Sequence, residues 1–429
     1  MDGLETLVNV KIGDPASVER IPRRRRILAM LITVAAALFL SVGVMEIFFR
    51  VFIPVTDVPF YFWDPVIGPR RAPNQTGRRI IGNYRNTRYH FNVQGWNHPK
   101  DYVVAKPAGT RRVCLVGDSF VESLHVNPEE TMFAVAERRM NRPERPVEWY
   151  AFGNSGFGTE REYELIRHYV LEYQPEVVIL LFVQNDPFDC SPYLAEPSPY
   201  NVTYRLNNQG KLSFEFPTAV WRPSRWRRLA AQSALVRYFI HQRMLLERLH
   251  ALRVSPPAEQ GIGGLPLQEQ AVRANNSSSG ELTGMSIAER QLKTWQLIEA
   301  LLRAARDECF RRGAAFGLAF CGWHTDIDRP LTGASSRVPP KAVDPYCLLE
   351  RLSEMGREQL GPIAERLGIP YLDLTDPLRE MVARTGKSHC FPDDYHYGAV
   401  GHAAAGEALA TFVESIWQQS PTQPVRQLH

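Results

Sequence analysis

Ser119, Asn185, Asp393, Asp394 and His396 are the residues of this chain whose types could carry chemistry together. A serine hydroxyl is a weak nucleophile until an imidazole takes its proton, and the imidazole needs an acid to fix its tautomer. Ser119 is the penultimate residue of the stretch RRVCLVGDSF, where the apolar run Val113 to Val116 meets the turn-forming Gly117-Asp118. His396 closes Asp393-Asp394-Tyr395-His396. Asp393 is the expected acid, and Asp394, two residues before the histidine, is its rival. The tetrahedral oxyanion of acyl transfer needs donors already in place. The expected ones are the backbone N–H of Ser119, the backbone N–H of Gly156 and the side-chain amide of Asn185. The chemistry these residue types would support is acyl transfer, through an expected triad of Ser119, His396 and Asp393.

Each of these residues also has a plainer reading. Ser119 could cap a helix, Asn185-Asp186 ahead of Pro187 could form an Asx turn, and Gly156 could be a turn glycine. His396 could be an ordinary surface histidine. A lone Gly-Asp-Ser is weak, but four pieces placed in order at the ends of successive strands are not. A metal site from Asp393, His396 and His402 lacks a further supporting cluster, so no metal and no cofactor are expected. His402 reads as a helix-start residue and His324 as structural.

The elements that must position these groups follow from the hydrophobic periods. Strand, turn and helix alternate from residue 111. The expected strands are Val113 to Val116, Val147 to Gly153, Val177 to Val183, Ala314 to Cys321 and Ile369 to Leu374. The helices expected between them include Asn127 to Met140, Thr159 to Tyr173 and Ile287 to Arg312, with a last one from Gly398 to Gln418. VVILLFV is apolar at every position, as a central parallel strand covered on both faces requires. The pattern predicts an α/β, doubly wound parallel sheet of about five strands, with its ligand site at the carboxyl ends. The catalytic domain is expected over 111–186 and 286–420, interrupted at 187–285 by a cap insertion and mobile loop. Leaving the sheet directly after Asn185, the insert should overhang the pocket.

The N-terminal part has a different composition. Arg23 to Arg26 abuts Ile27 to Met45, nineteen residues without a charge. A run of that length suffices to cross the hydrocarbon core as a helix. No Ala-x-Ala-like site follows it, so it reads as an uncleaved anchor and not as a cleaved signal. Positive charge stays cytoplasmic. The expected layout is a cytoplasmic tail over 1–26, a single transmembrane helix over 27–50 and everything beyond outside, in the periplasm at the inner membrane. Residues 51–110, rich in Pro, Arg and aromatics, read as an irregular lead-in.

The net charge of +4 is small for 429 residues and comes partly from the arginine tetrad; with no basic, aromatic-interleaved face in the sequence it gives no case for nucleic-acid binding. Six cysteines allow fifteen full pairings, so connectivity is open. Cys347 is the weakly favoured partner for Cys390, and Cys114 reads as a free core thiol.

These blocks resemble the GDSL or SGNH hydrolases, serine esterases with a flavodoxin-like sheet. The Gly-Asp-Ser block falls on Gly117-Asp118-Ser119, the second-block glycine on Gly156, and the Gly-x-Asn-Asp block on Val183-Gln184-Asn185-Asp186, with valine where glycine is usual. The Asp-x-x-His block falls on Asp393 to His396. The resemblance spans about 110–190 and 285–418. It implies a serine esterase acting on a carbohydrate or other acyl ester, or an O-acetyltransferase modifying an exported polysaccharide. A silent glycan-binding scaffold is the third reading, and the intact Ser119, Asn185, Asp393 and His396 argue against it. The implied partners are an ester or acylated glycan and, through the N-terminal helix, the membrane.

Overall fold

The computed structural model describes residues 22–81, 85–243, 284–322, 324–332, 345–391 and 394–419. The first element is α1 (Arg23–Phe52), thirty residues long, of which only Phe49 is buried. It is the one helix among the described residues long and apolar enough to cross a membrane.

The lead-in is not irregular. It forms two antiparallel pairs, β1 (Tyr61–Asp64) with β2 (Gly68–Arg71) and β3 (Gln75–Ile81) with β4 (Arg85–Phe91). In β4 burial alternates, with Arg85, Thr87, Tyr89 and Phe91 inward. The period of two that marks a half-buried strand is present. Polar residues at two of the four inward positions hide it from a hydrophobicity reading.

Five parallel strands make the central sheet: β5 (Arg111–Gly117), β6 (Val147–Gly153), β7 (Val177–Phe182), β10 (Ala315–Phe320) and β11 (Tyr371–Asp373). Their spatial order is β11-β10-β7-β5-β6. Counted along the domain this is 2-1-3-4-5, the flavodoxin-like doubly wound order. The pleat sends Val113 and Leu115 to one face, and Cys114 and Val116 to the other. One layer is closed by α3 (Met132–Met140) and α11 (Ala399–Gln419), through Phe133, Leu409 and Val413. The opposite layer is closed by α4 (Thr159–His168), α8 (Ile287–Arg311) and α9 (Pro345–Leu367), through Leu165, Ile298 and Ile363. Every residue of β7 is fully buried, at about 1.5–3 kcal/mol for each large apolar side chain.

The described part of the insert, up to residue 243, braces the domain. The hairpin β8 (Thr203–Leu206) with β9 (Leu212–Glu215) packs Tyr204 beside Tyr193, Leu297 and Leu301. The chain then reaches α1 through α6 (Arg225–Gln232) and α7 (Ala234–Val236), which continues as a π-helix over Arg237–Gln242. The remainder, 244–283, lies outside the described residues. Cys114, Cys190, Cys309, Cys321 and Cys390 are free thiols. With Cys390 free, the bridge expected between Cys347 and Cys390 is not formed; the side chain of Cys347 itself lies outside the described residues.

Candidate active site

The sheet reverses its winding between β5 and β7, and the crevice at that switch point is where ligands of open α/β sheets bind. Ser119 opens α2 (Ser119–Glu122), a single turn directly after β5. Asp118 caps it, accepting the Phe120 N–H at 2.9 Å. The turn fits only because β6 ends in glycine: a Cβ on Gly153 would lie 2.1 Å from the backbone nitrogen of Glu122.

Ser119 Oγ lies 2.7 Å from His396 Nε2. The opposite ring nitrogen, Nδ1, lies 2.6 Å from Asp394 Oδ1. Asp394 and His396 both belong to β13 (Asp394–Tyr397), paired antiparallel with β12 (Cys390–Phe391). Residues two apart on a strand share a face, so the carboxylate reaches the ring of its own strand. The acid beside the imidazole is therefore Asp394, where the sequence favoured Asp393. Asp393 itself lies outside the described residues.

Arg85 of the lead-in and His125, three residues beyond α2, supply the rest of this array, which the sequence did not reveal. Arg85 Nη1 donates to Asp394 Oδ2 at 2.7 Å, and both side chains are almost fully buried. The His125 ring stacks on His396 with centroids 3.9 Å apart and planes 14° apart, its Nε2 3.6 Å from Asp394 Oδ2. Burial by itself would raise the Asp394 carboxyl. The hydrogen bond and charge of His396, then His125 and Arg85, outweigh it and hold the group well below the usual carboxylate range. Burial, reinforced by His396, pushes His125 far down, so its ring is neutral and Arg85 is the cation. A charge-assisted pair of this kind orients as well as stabilises.

Gly156 lies in the loop after β6 with φ at +75°, a conformation that favours glycine. That loop is pinned from below: Ser155 Oγ donates to Glu122, whose carboxylate also takes the Arg71 guanidinium at 2.6 Å. Asn185 follows β7, one residue before α5 (Asp186–Cys190). Its Nδ2 donates to Asp118 Oδ2 at 3.2 Å and to Asp189 Oδ2 at 2.7 Å. The amide is thus held by two carboxylates, one of them the Asp118 that caps the turn opened by Ser119. Behind it lies a set of buried acids. Burial raises Asp189 to about 6 and Glu160 to about 7. Asp118, Glu162 and Asp186 are also raised, by burial first.

His402 accepts the Met132 N–H at 3.1 Å through Nδ1, joining α11 to the start of α3. Among the described residues, the donors that could hold a cation near the serine are His125, Asp394 and His396. His396 and Asp394 spend both imidazole nitrogens and both carboxylate oxygens on Ser119, on each other and on Arg85. The side chain of His324 lies outside the described residues.

No family model and no curated protein matches the chain. Solved structures do. One is a lipolytic protein of the G-D-S-L family from Desulfitobacterium hafniense DCB-2, 11% identical, covering 70% of this chain and 98% of that one at TM-score 0.33. The acetylxylan esterase Axe2 of Geobacillus stearothermophilus is 11% identical, covering 71% and 94% at 0.36. TesA is 11% identical, covering 71% and 99% at 0.36.

Proposed function

We propose that the chain is a membrane-anchored, extracytoplasmic serine hydrolase that cleaves an acyl ester through an acyl-enzyme. The observation that carries this reading is the relay from Ser119 Oγ through His396 to Asp394, at 2.7 and 2.6 Å.

In the first half-reaction His396 Nε2 takes the Ser119 proton as Oγ bonds to the ester carbonyl carbon. The carbonyl oxygen becomes an oxyanion facing the Ser119 N–H, the Gly156 N–H and the Asn185 amide. Collapse breaks the bond to the leaving alkoxide, which takes the proton from His396. In the second half His396 deprotonates water, hydroxide adds to the acyl carbon, and Ser119 leaves with its proton restored. Asp394 fixes the tautomer throughout, and Arg85 keeps Asp394 ionised and aimed.

An eighteen-residue apolar stretch of α1, with a mean hydropathy of 2.6 and none of it buried, supports the anchor. The arginines at its start support an outward-facing catalytic domain. Two experiments test the proposal. Mass spectrometry after fluorophosphonate treatment should find a single adduct, on Ser119, and hydrolysis of a small acetyl ester should be lost with it. An adduct elsewhere with hydrolysis intact would sink the enzymatic reading. A C-terminal alkaline phosphatase fusion should be active; an inactive one beside a bright cytoplasmic reporter would reverse the topology.

A further inference from the structure

The end of α1 does not run free into the lead-in. Glu46, the first charged residue after the apolar run, accepts from Ala234 N at 2.8 Å, Leu235 N at 3.1 Å and Ser233 Oγ at 2.8 Å, so it caps α7 from outside. One turn on, Arg50 bonds Glu46 at 2.7 Å and the carbonyl of Gln232, the last residue of α6, at 2.6 Å. Phe49 sits against Tyr238 and Phe239, with ring centroids at 4.9 and 5.9 Å. The α6–α7 corner is thereby fixed to α1 at the level where the uncharged run stops.

At that level α6 turns outward what a buried helix would hide. Trp226 is 80% exposed and Leu229 56%. Spaced i, i+3, they share one face, and the exposed Arg225 and Arg228 form a second pair at the same spacing. Ile47, Phe48, Val51 and Phe52, on the part of α1 that reaches this corner, are also exposed. Tryptophan and arginine on a short amphipathic helix match the boundary between acyl chains and headgroups, where the indole sits and the guanidinium finds phosphate.

We propose that α6 lies in the headgroup layer of the leaflet from which α1 emerges. Trp226 and Leu229 then dip into the acyl boundary, and Arg225 and Arg228 rest on anionic headgroups. The catalytic domain is held at two points and has a set orientation above the membrane, where a single helix would let it swing. This rests on α1 being a membrane span. The occupant is the bilayer because α6 is bonded to α1 at the height where the bilayer ends.

The test uses the full chain in nanodiscs of phosphatidylcholine and phosphatidylglycerol, with and without lipids brominated near the headgroup. Of the eight tryptophans, Trp96, Trp149 and Trp295 are buried in the catalytic domain and cannot meet lipid. Brominated lipid should quench part of the emission, Trp226→Phe should remove most of that quenching, and hydrolysis of a small soluble ester should not change. Arg225→Gln with Arg228→Gln should weaken the quenching. Equal quenching in wild type and Trp226→Phe would overturn the proposal. So would unquenched Trp226 in discs whose mass shows two chains, which would make the occupant a second copy. A chain that does not co-elute with the discs would refute the span itself, an outcome separable from the first two.

Discussion

Arg85 and Asp394 stand 309 positions apart in the chain and 2.7 Å apart in space, a buried ion pair on the side of Asp394 opposite His396. It joins a hairpin that precedes the catalytic domain to the acid of the relay. Hydrolysis should therefore depend on the lead-in. Arg85→Gln leaves Asp394 without its cation, and removing one partner of a buried pair costs about 3–5 kcal/mol of stability. On the folded fraction, kcat/KM should fall by roughly 10–100-fold, the worth of a hydrogen bond to a charged group. Loss of a positive charge also makes protonation of the nearby imidazole easier, so the acid limb of the pH–rate profile should move to higher pH. Arg85→Lys should restore part of both. An unmoved limb would reduce Arg85 to a structural strut.

The choice between the two acids is tested by paired variants. Asp394→Asn should lower kcat by ~10⁴, through a wrong tautomer, and Asp393→Asn only mildly. Ser119→Ala and His396→Ala should each abolish turnover, and the double variant should be no worse, because they act as one unit. Steady-state kinetics on the set decides; a more severe Asp393→Asn would return the role to that residue.

Asn185→Ala removes one oxyanion donor. We expect kcat to drop by ~10²–10³ with little change in KM, read from initial rates on a small acetyl ester. A rise in KM at constant kcat would instead make Asn185 a ground-state binder.

The buried acids give stability a sign with pH. Glu160 is raised to about 7 in the folded protein, by burial first. A raised group favours the fold fully below its unfolded value and loses that contribution as pH climbs through the folded one. Tm should thus decline between about pH 4.5 and 7 from this group, with Asp189, raised to about 6, adding to it. Glu160→Gln should flatten that decline and raise Tm at pH 8, by at most about 3 kcal/mol of stability. Thermal melts across the range would show it, and an unchanged slope would contradict it. Asp394 works the other way: its depressed carboxyl supports the fold above its unfolded value and loses that support as pH falls.

Much of this protein is local enough to read from its sequence. The five strands announce themselves because both faces of the sheet are covered, so their runs are apolar and close to continuous. Ser119, Gly156 and Asn185 follow the ends of those strands, and a parallel sheet gathers such ends on one edge whatever the loops do. The uncharged run of α1 is equally plain, since no neighbour is needed to make it helical and exposed. What escaped was decided by contact between distant segments. Whether Asp393 or Asp394 meets His396 depends on the backbone being extended there, which comes from the pairing of β13 with β12. The lead-in concealed its strands because their inward positions are occupied by Arg85 and Thr87. An inward arginine makes physical sense only once a carboxylate 309 residues away faces it. A sequence can state which side chains are available; only the fold brings a charge and its partner out of water together.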